Sequence, residues 1–157
     1  MTDSGDELSR WTANFPSHWT VLRLKNVANY VTSGSRGWAH HYSNDGDLFI
    51  RIGNLTRDSI DLDLSDIQYV KVPDDSEGKR TRLRSGDLVI SITAYLGSVA
   101  VVPEDAADSY VSQHVALVRP IAKLASSRFI AYIILSEFGQ TQLAISGYRW
   151  YKDTIES

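Results

Sequence analysis

The chain has 157 residues, of which 43% are hydrophobic and 22% charged, so it fits a single globular domain with a buried core. It contains no cysteine, which excludes structural disulfides and thiolate metal sites. Its net charge of −3 argues against a strongly basic nucleic-acid binder. However, Asp3, Asp6 and Glu7 supply three of the 19 acidic residues, and the remainder balances the 16 basic groups.

The first residues resemble no targeting segment. Residues 1–14 form a polar leader that lacks the basic and apolar regions of a signal peptide. The longest apolar run, FIAYIIL at 129–135, is too short to span a membrane. We therefore expect a cytoplasmic protein with no membrane partner.

Strand-like runs occupy the middle of the chain. Pro16 and Ser17 can start a short helix or turn that opens the fold. Five later runs are rich in valine and isoleucine and are bounded by Gly, Asp, Asn or Pro, a pattern typical of strands. These predicted strands cover residues 48–52, 67–72, 87–93, 98–103 and 114–120.

A helical period begins near residue 125. Apolar residues in 125–146 recur with the spacing of one helix face, Ser126 or Ser127 can cap the N-terminus, and Gly139 can end or bend the helix. Because strands come first and the helix last, the sequence predicts an α+β fold. We expect a single mixed domain over residues 15–147, with a twisted, mainly antiparallel β-sheet and a long C-terminal helix, followed by a tail at 148–157.

Two segments have the composition of a binding site. VTSGSRGWAHHY at 31–42 has no hydrophobic period, yet it is rich in arginine, histidine and aromatic residues. KRTRLR at 79–84 concentrates positive charge. On the residues alone, a solvated loop neutralised by Asp74, Asp75 and Glu77 is favoured over a DNA-binding stripe for the second segment.

The sequence gives little support to an enzyme. It has neither a P-loop nor a Rossmann glycine pattern, so no nucleotide cofactor is predicted. His40 and His41 are adjacent, whereas zinc-binding pairs are usually several residues apart. His114 lies in an apolar run and is expected to be a hydrogen-bonded strand histidine. We therefore expect no catalytic residue, no metal site and no cofactor.

An ordered series of segments carries a family resemblance. In chain order they are FPSHW, SGSRGW, LFIRIGNL, RLRSGDLVISIT, VSQHVALVRP, FIAYIILSEFGQTQL and SGYRW. No single one is diagnostic, but the collinear series resembles a target recognition domain of the DNA-specificity subunits of Type I restriction–modification enzymes. The resemblance covers essentially the whole chain from about residue 15.

The resemblance implies a target-recognition-domain-like fold and sequence-specific recognition of double-stranded DNA, without catalysis by this component. In this family two such domains are separated by long helices, and each reads one half of a bipartite target. The implied partners are the methyltransferase (modification) subunits and, through them, the restriction and translocation subunit. The tail at 148–157 would be the start of a truncated spacer region.

The resemblance also implies which residues contact DNA. Arg36 can reach guanine O6 and N7 with its fork of donors. Trp38 can pack on a sugar or wedge the loop in place, and Gly34 and Gly37 would let the backbone approach the duplex. The expected DNA-contacting residues of this loop are Ser33, Ser35, Arg36, Trp38, His40, His41 and Tyr42.

The basic segment and one strand end complete the implied DNA contacts. Arg80, Arg82 and Arg84 would lie on one side of an extended segment and bind phosphates, which sets register without reading sequence. The expected residues here are Lys79, Arg80, Arg82, Arg84, Thr93 and Tyr95. An alternative stays open: Trp38 and Tyr42 beside Arg36 would also suit a protein–protein interaction module that docks a partner subunit.

Overall fold

The computed structural model describes residues 9–34, 36–72 and 76–155, with side chains described at 9–34, 36–72 and 78–146. The strands in these residues are β1 (Ala28–Ser33), β2 (Tyr42–Ser43), β3 (Asp47–Ile50), β4 (Tyr69–Val70), β5 (Leu88–Ser91), β6 (Val99–Val101), β7 (Tyr110–Val111) and β8 (Val115–Pro120). The α-helices are α1 (Ser76–Thr81), α2 (Ser127–Leu135) and α3 (Glu137–Ile155), and residues 9–12 are also helical. Short 3₁₀ helices cover Leu24–Asn26, Trp38–His41, Ile52–Asn54 and Glu104–Ala106.

The first sheet has four strands in the order β1–β8–β5–β6, and all neighbouring strands run antiparallel. Its register pairs Ser33 with Ala116 and Ser91 with Val115. The C-terminal ends of β1 and β5 therefore lie on either side of the N-terminal end of β8. Two loops leave the sheet together at this end.

The second sheet has the order β2–β4–β3–β7. β4 pairs antiparallel with both β2 and β3, whereas β3 and β7 run parallel. Ile50 of β3 and Val111 of β7 are buried in the core that this sheet shares with the first one. The second sheet therefore covers one face of the first sheet and positions the loop between β1 and β2.

The first sheet is buried on both faces. In β5, Val89 belongs to the core shared with the second sheet, while Leu88 and Ile90 belong to the core beneath α2. In β8, Leu117 and Val118 divide between the two cores in the same way. All four β5 residues are buried, which explains why this strand reads as a continuous apolar run without alternation.

The C-terminal helix begins as predicted but is interrupted. The Ser126 hydroxyl accepts a hydrogen bond from the backbone N–H of Phe129 at 3.2 Å and so caps α2. The predicted continuous helix breaks at Ser136, whose backbone is extended with ψ at 160°. Gly139 lies within α3, where a Cβ would be 2.2 Å from the carbonyl oxygen of Ile133. Gly139 therefore permits the close junction of the two helices instead of ending one.

The α+β class, the mainly antiparallel pairing and a long C-terminal helix are confirmed. Three strands, β1, β2 and β7, are additional to the predicted ones, and the sheet is divided in two. Within the described residues, no α-helix has the length and apolarity needed to cross a membrane.

Candidate nucleic-acid interface

The loops expected to contact DNA leave the same end of the first sheet. β1 continues into the 33–42 loop, and β5 continues into the 92–97 turn. The backbone N–H of Gly34 donates to the carbonyl oxygen of Val115 at 3.2 Å, and Thr93 Oγ1 lies 3.2 Å from His114 Nδ1. His114 is exposed and immediately precedes β8, which corrects its expected position within a strand. The N-terminal end of β8 thus joins the loop to the turn.

Gly34 packs against the protein itself. A Cβ at this position would lie 2.1 Å from the carbonyl oxygen of Val111 and 2.2 Å from that of Ser112. Both atoms belong to the backbone, so a side chain could be accommodated only if the chain moved. The expected approach of Gly34 to a duplex is therefore corrected: its close contact is with residues 111–112, and it fixes the base of the 33–42 loop.

Trp38 fills the inside of the loop. Its side chain is 4% exposed, and its ring stacks on Phe49 with centroids 5.4 Å apart and planes 9° apart. The ring centroid of Tyr110 also lies 5.4 Å from that of Trp38, and the two ring planes are tilted by 39°. Of the two roles that the sequence allowed, the structure favours the packing wedge, so Trp38 leaves the set of expected DNA-contacting residues.

Other residues of the 33–42 loop present polar groups at the surface. Arg36 and His40 are exposed, Tyr42 is 45% exposed, and Ser33 and His41 are half-buried. Ser35 lies outside the described residues. Because the buried Trp38 ring anchors the loop, the exposed side chains of Arg36 and His40 project from a segment whose position is fixed.

A basic cleft of about 500 Å³ lies beside β1. The residues that line it are Tyr30, Lys79, Arg80, Arg82, Arg84, Asp108 and Arg119. The cleft brings together all four cations of the KRTRLR segment, of which Arg80, Arg82 and Arg84 were expected on one side. The expected extended approach is wrong, because Lys79 and Arg80 belong to α1 and the chain leaves this helix only at Arg82, which pairs with Tyr110 of β7.

Arg80 connects the basic cleft to the 33–42 loop. Its Nη1 donates to the carbonyl oxygen of Ser33 at 2.9 Å and to the hydroxyl of Thr32. Its own carbonyl oxygen accepts from the Tyr30 hydroxyl at 3.0 Å. Arg80 therefore fastens the end of β1 to α1, and it makes the cleft and the loop one continuous surface.

A buried ion pair that the sequence did not predict holds Arg119, one of the residues that line the basic cleft. The Asp87 side chain is 1% exposed and that of Arg119 is 20% exposed. Arg119 Nε and Nη2 donate to the two carboxylate oxygens of Asp87 at 2.8 and 2.7 Å, and the backbone N–H of Arg84 donates to the same carboxylate at 2.8 Å. The guanidinium carbon of Arg119 also lies 5.5 Å from the ring centroid of Tyr30.

One sequence signal could have revealed this pair. Arg119 is the charged residue within the otherwise apolar run HVALVRP. A charge in a buried strand requires a partner, because an isolated buried charge is unstable. Asp87, at the start of the neighbouring strand-like run, is the matching carboxylate.

The mouth of the basic cleft holds a second, exposed ion pair. Arg82 Nε donates to Asp108 Oδ1 at 2.8 Å, and their side chains are 54% and 65% exposed. This hydrogen bond raises the pKa of the Arg82 guanidinium above its ordinary value. Arg84 is exposed, and within the described residues its guanidinium makes no hydrogen bond or ion pair.

The 92–97 turn presents an exposed aromatic side chain on a strained backbone. Tyr95 is 70% exposed and has a φ of 59°, in the left-handed region that non-glycine residues rarely adopt. Its carbonyl oxygen accepts from the Ser91 hydroxyl at 2.5 Å and from the Ser98 backbone N–H at 3.3 Å. Because such strain recurs at functional sites, Tyr95 stays an expected contact residue. Thr93 is exposed in the same turn.

The chemistry that this surface offers is binding. Guanidinium, imidazole and hydroxyl groups supply hydrogen-bond donors, and Tyr95 and Tyr42 supply exposed rings. Among the residues that the structure describes, no three histidine or acidic side chains converge in a metal-binding arrangement. The hydrogen-bond donors and rings of this surface suit anions, bases or polar partners.

The fold is shared with solved proteins of Type I restriction–modification systems. The crystal structure of the HsdS subunit from Thermoanaerobacter tengcongensis matches with a TM-score of 0.61 at 21% identity, over 86% of this chain and 34% of that chain. A structure described as the basis of complex assembly and conformational transition of the type I R-M system matches with a TM-score of 0.56 at 18% identity. That match covers 80% of this chain and 31% of the other. These two matches establish the fold.

The sequence is similar to the Type I restriction enzyme EcoBI specificity subunit of Escherichia coli. The two are 23% identical over 151 residues, which are 95% of this chain and 31% of the relative. No family model matches the chain. The resemblance to Type I specificity subunits, predicted from the ordered motifs, is confirmed. The chain spans about a third of the length of each of these proteins.

Proposed function

We propose that this chain is a non-catalytic DNA-recognition module of a Type I restriction–modification system, and that it reads one half of a bipartite double-stranded target. The observation that carries the proposal is that the 33–42 loop and the 92–97 turn leave one end of the first sheet together. The basic cleft beside β1 joins this surface through the contacts of Arg80 with Thr32 and Ser33. The similarity to a specificity subunit supports the same role. Residues 15–147 would form the recognition domain.

The exposed groups divide into two kinds of DNA contact. Arg36 presents a fork of donors at the tip of the loop, which suits the paired acceptors O6 and N7 of guanine in the major groove. Arg84 and Arg82 lie in the basic cleft, which suits phosphate oxygens and sets the position of the protein on the duplex. Tyr95 and Tyr42 would pack on sugars or base edges beside the loop.

The proposed partners follow from the relatives. A DNA-reading module without catalytic groups needs other subunits to act on the target, and we propose methyltransferase subunits and, through them, a restriction and translocation subunit. A cytoplasmic location stays a prediction from the sequence. The alternative, docking of a partner protein through the aromatic loop, loses its main anchor because Trp38 is buried and unable to serve as a contact residue.

Paired substitutions test the proposal, because base contacts and phosphate contacts fail differently. Arg36→Ala should cost about 1–3 kcal/mol at one base-pair position and flatten the preference there. Arg82→Ala should weaken binding to all sequences alike and reduce the slope of log affinity against log salt by about 0.9. The measurement is selection from duplexes with a randomised segment in about 50 mM salt, followed by titrations at several salt concentrations.

Arg128→Ala is the matched control. Arg128 belongs to α2, which packs on the opposite side of the first sheet from the basic cleft. It forms an ion pair with Asp61, and the two side chains are 58% and 71% exposed. Its removal should leave both the base preference and the salt slope unchanged. If binding does not depend on salt, or if all three variants behave alike, a protein partner replaces DNA as the better explanation.

A further inference from the structure

Asp108 has an unusual position for an acidic residue. It lines the basic cleft together with six cationic or aromatic residues, and its carboxylate accepts a 2.8 Å hydrogen bond from Arg82. Its φ is 65°, in the left-handed region, and its backbone N–H donates to the carbonyl oxygen of Leu83 at 2.9 Å. A strained backbone therefore holds a negative charge inside a cleft whose remaining charges are mostly positive.

The carboxylates of Asp108 and Asp87 have different environments. Asp87 is buried and receives three hydrogen bonds, so it is part of the scaffold. Asp108 is 65% exposed, and its pair with Arg82 is open to solvent. A carboxylate and a phosphate both present oxygen acceptors to a guanidinium, so either can occupy the same side of Arg82. Water and salt screen both charges of an exposed ion pair, so its exchange for another anion costs little.

We propose that the Asp108 carboxylate occupies the place of a DNA backbone phosphate on Arg82, and that binding of a duplex exchanges one for the other. This inference rests on the proposed DNA-recognition function. In the free protein the Asp108 carboxylate holds the Arg82 guanidinium through a 2.8 Å hydrogen bond. On binding, a phosphate displaces the carboxylate, so the presence of Asp108 holds the affinity for duplexes of any sequence below the value that the cations alone would give.

The test replaces only the charge. Asp108→Asn keeps the size of the side chain, and asparagine tolerates the left-handed backbone, so the fold should be preserved. Asp108→Gly removes the carboxylate in a second way that is also compatible with this backbone. Each variant of the full chain should bind a mixed-sequence duplex at least about threefold more tightly in about 50 mM salt, measured by fluorescence anisotropy. The gain should shrink as salt rises from about 50 to 200 mM, because salt screens the exposed Asp108–Arg82 pair that competes with the phosphate.

Two controls separate release of Arg82 from a general change in charge. Asp61→Asn removes a carboxylate from a comparable exposed pair on the other side of the first sheet and should leave affinity unchanged. In an Arg82→Ala background, Asp108→Asn should lose most of its effect, because no guanidinium remains to be released.

The outcomes distinguish this inference from the proposed function. Tighter binding by both Asp108 variants, absent in Asp61→Asn and reduced without Arg82, supports it. Unchanged or weaker binding by folded Asp108 variants, while the unmodified chain binds DNA in a salt-dependent way, overturns the inference alone. If neither the unmodified chain nor any variant binds duplex DNA at low salt, the proposed function fails with it.

Discussion

Replacing Asp87 with alanine is expected to lower the free energy of unfolding by about 3–5 kcal/mol, because it leaves the Arg119 guanidinium without its partner in a largely buried position. The change also removes the acceptor for the backbone N–H of Arg84. For a chain of this length the melting temperature should fall by about 10 °C. Thermal and urea unfolding of the full chain measure both quantities.

The control for this prediction is a pair of the same chemistry at the surface. Asp61 and Arg128 lie 3.4 Å apart and are both mostly exposed, so Asp61→Ala should cost less than about 1 kcal/mol. The contrast between the two aspartates isolates burial as the cause. Equal stability of the Asp87→Ala and Asp61→Ala proteins would show that the Asp87–Arg119 ion pair does not stabilise the first sheet.

Replacing Trp38 with alanine should also be strongly destabilising, by about 3–5 kcal/mol, because a buried aromatic ring is lost and a cavity is left between the loop and the second sheet. The effect has a functional part, since the stacking on Phe49 is what fixes the 33–42 loop. Trp38→Phe should recover much of the stability, as it keeps a ring in the same place. Unfolding by urea, followed by circular dichroism, measures each step.

Trp19 supplies the matched tryptophan. Its side chain is 53% exposed and contacts Phe15 at a ring-centroid distance of 5.5 Å. Trp19→Ala should therefore change stability by much less than Trp38→Ala. Should the two alanine variants prove equally stable, the 33–42 loop would not be anchored by its tryptophan, and Trp38 would return to the set of surface residues.

The strands that the sequence predicts are those with apolar runs, and the clearest are the two at the centre of the first sheet. β5 and β8 have a core on each face, so valine, leucine and isoleucine fill three of the four β5 positions and three of the six β8 positions. β1 is an edge strand with the polar sequence ANYVTS and partial burial, so its composition is close to that of a loop. β2 and β7 have two residues each and exist through pairing with distant segments, which local sequence cannot specify.

The candidate site was also predictable only in part, because some of its features depend on contacts between distant segments. Composition was enough to single out the 33–42 loop and the KRTRLR segment, because polar, basic and aromatic residues without a period indicate an exposed surface. Composition could not show that the Trp38 ring points inward, because it packs against Phe49 and Tyr110, which come from separate parts of the chain. Nor could it show that residues 76–81 are helical, or that Asp108 and Arg119 join the cations of that segment in one cleft.

Hydrogen–deuterium exchange of the full chain with and without a duplex, at low salt, tests the central claim most directly, because it reports which surface is covered. We predict slower exchange in the 33–42 loop, residues 79–84, the 92–97 turn and residues 112–114. We predict no change on α2, whose exposed Phe129 and Tyr132 lie on the other side of the first sheet. Protection confined to α2, with the loop, turn and cleft unaffected, would contradict the assignment of this surface to DNA.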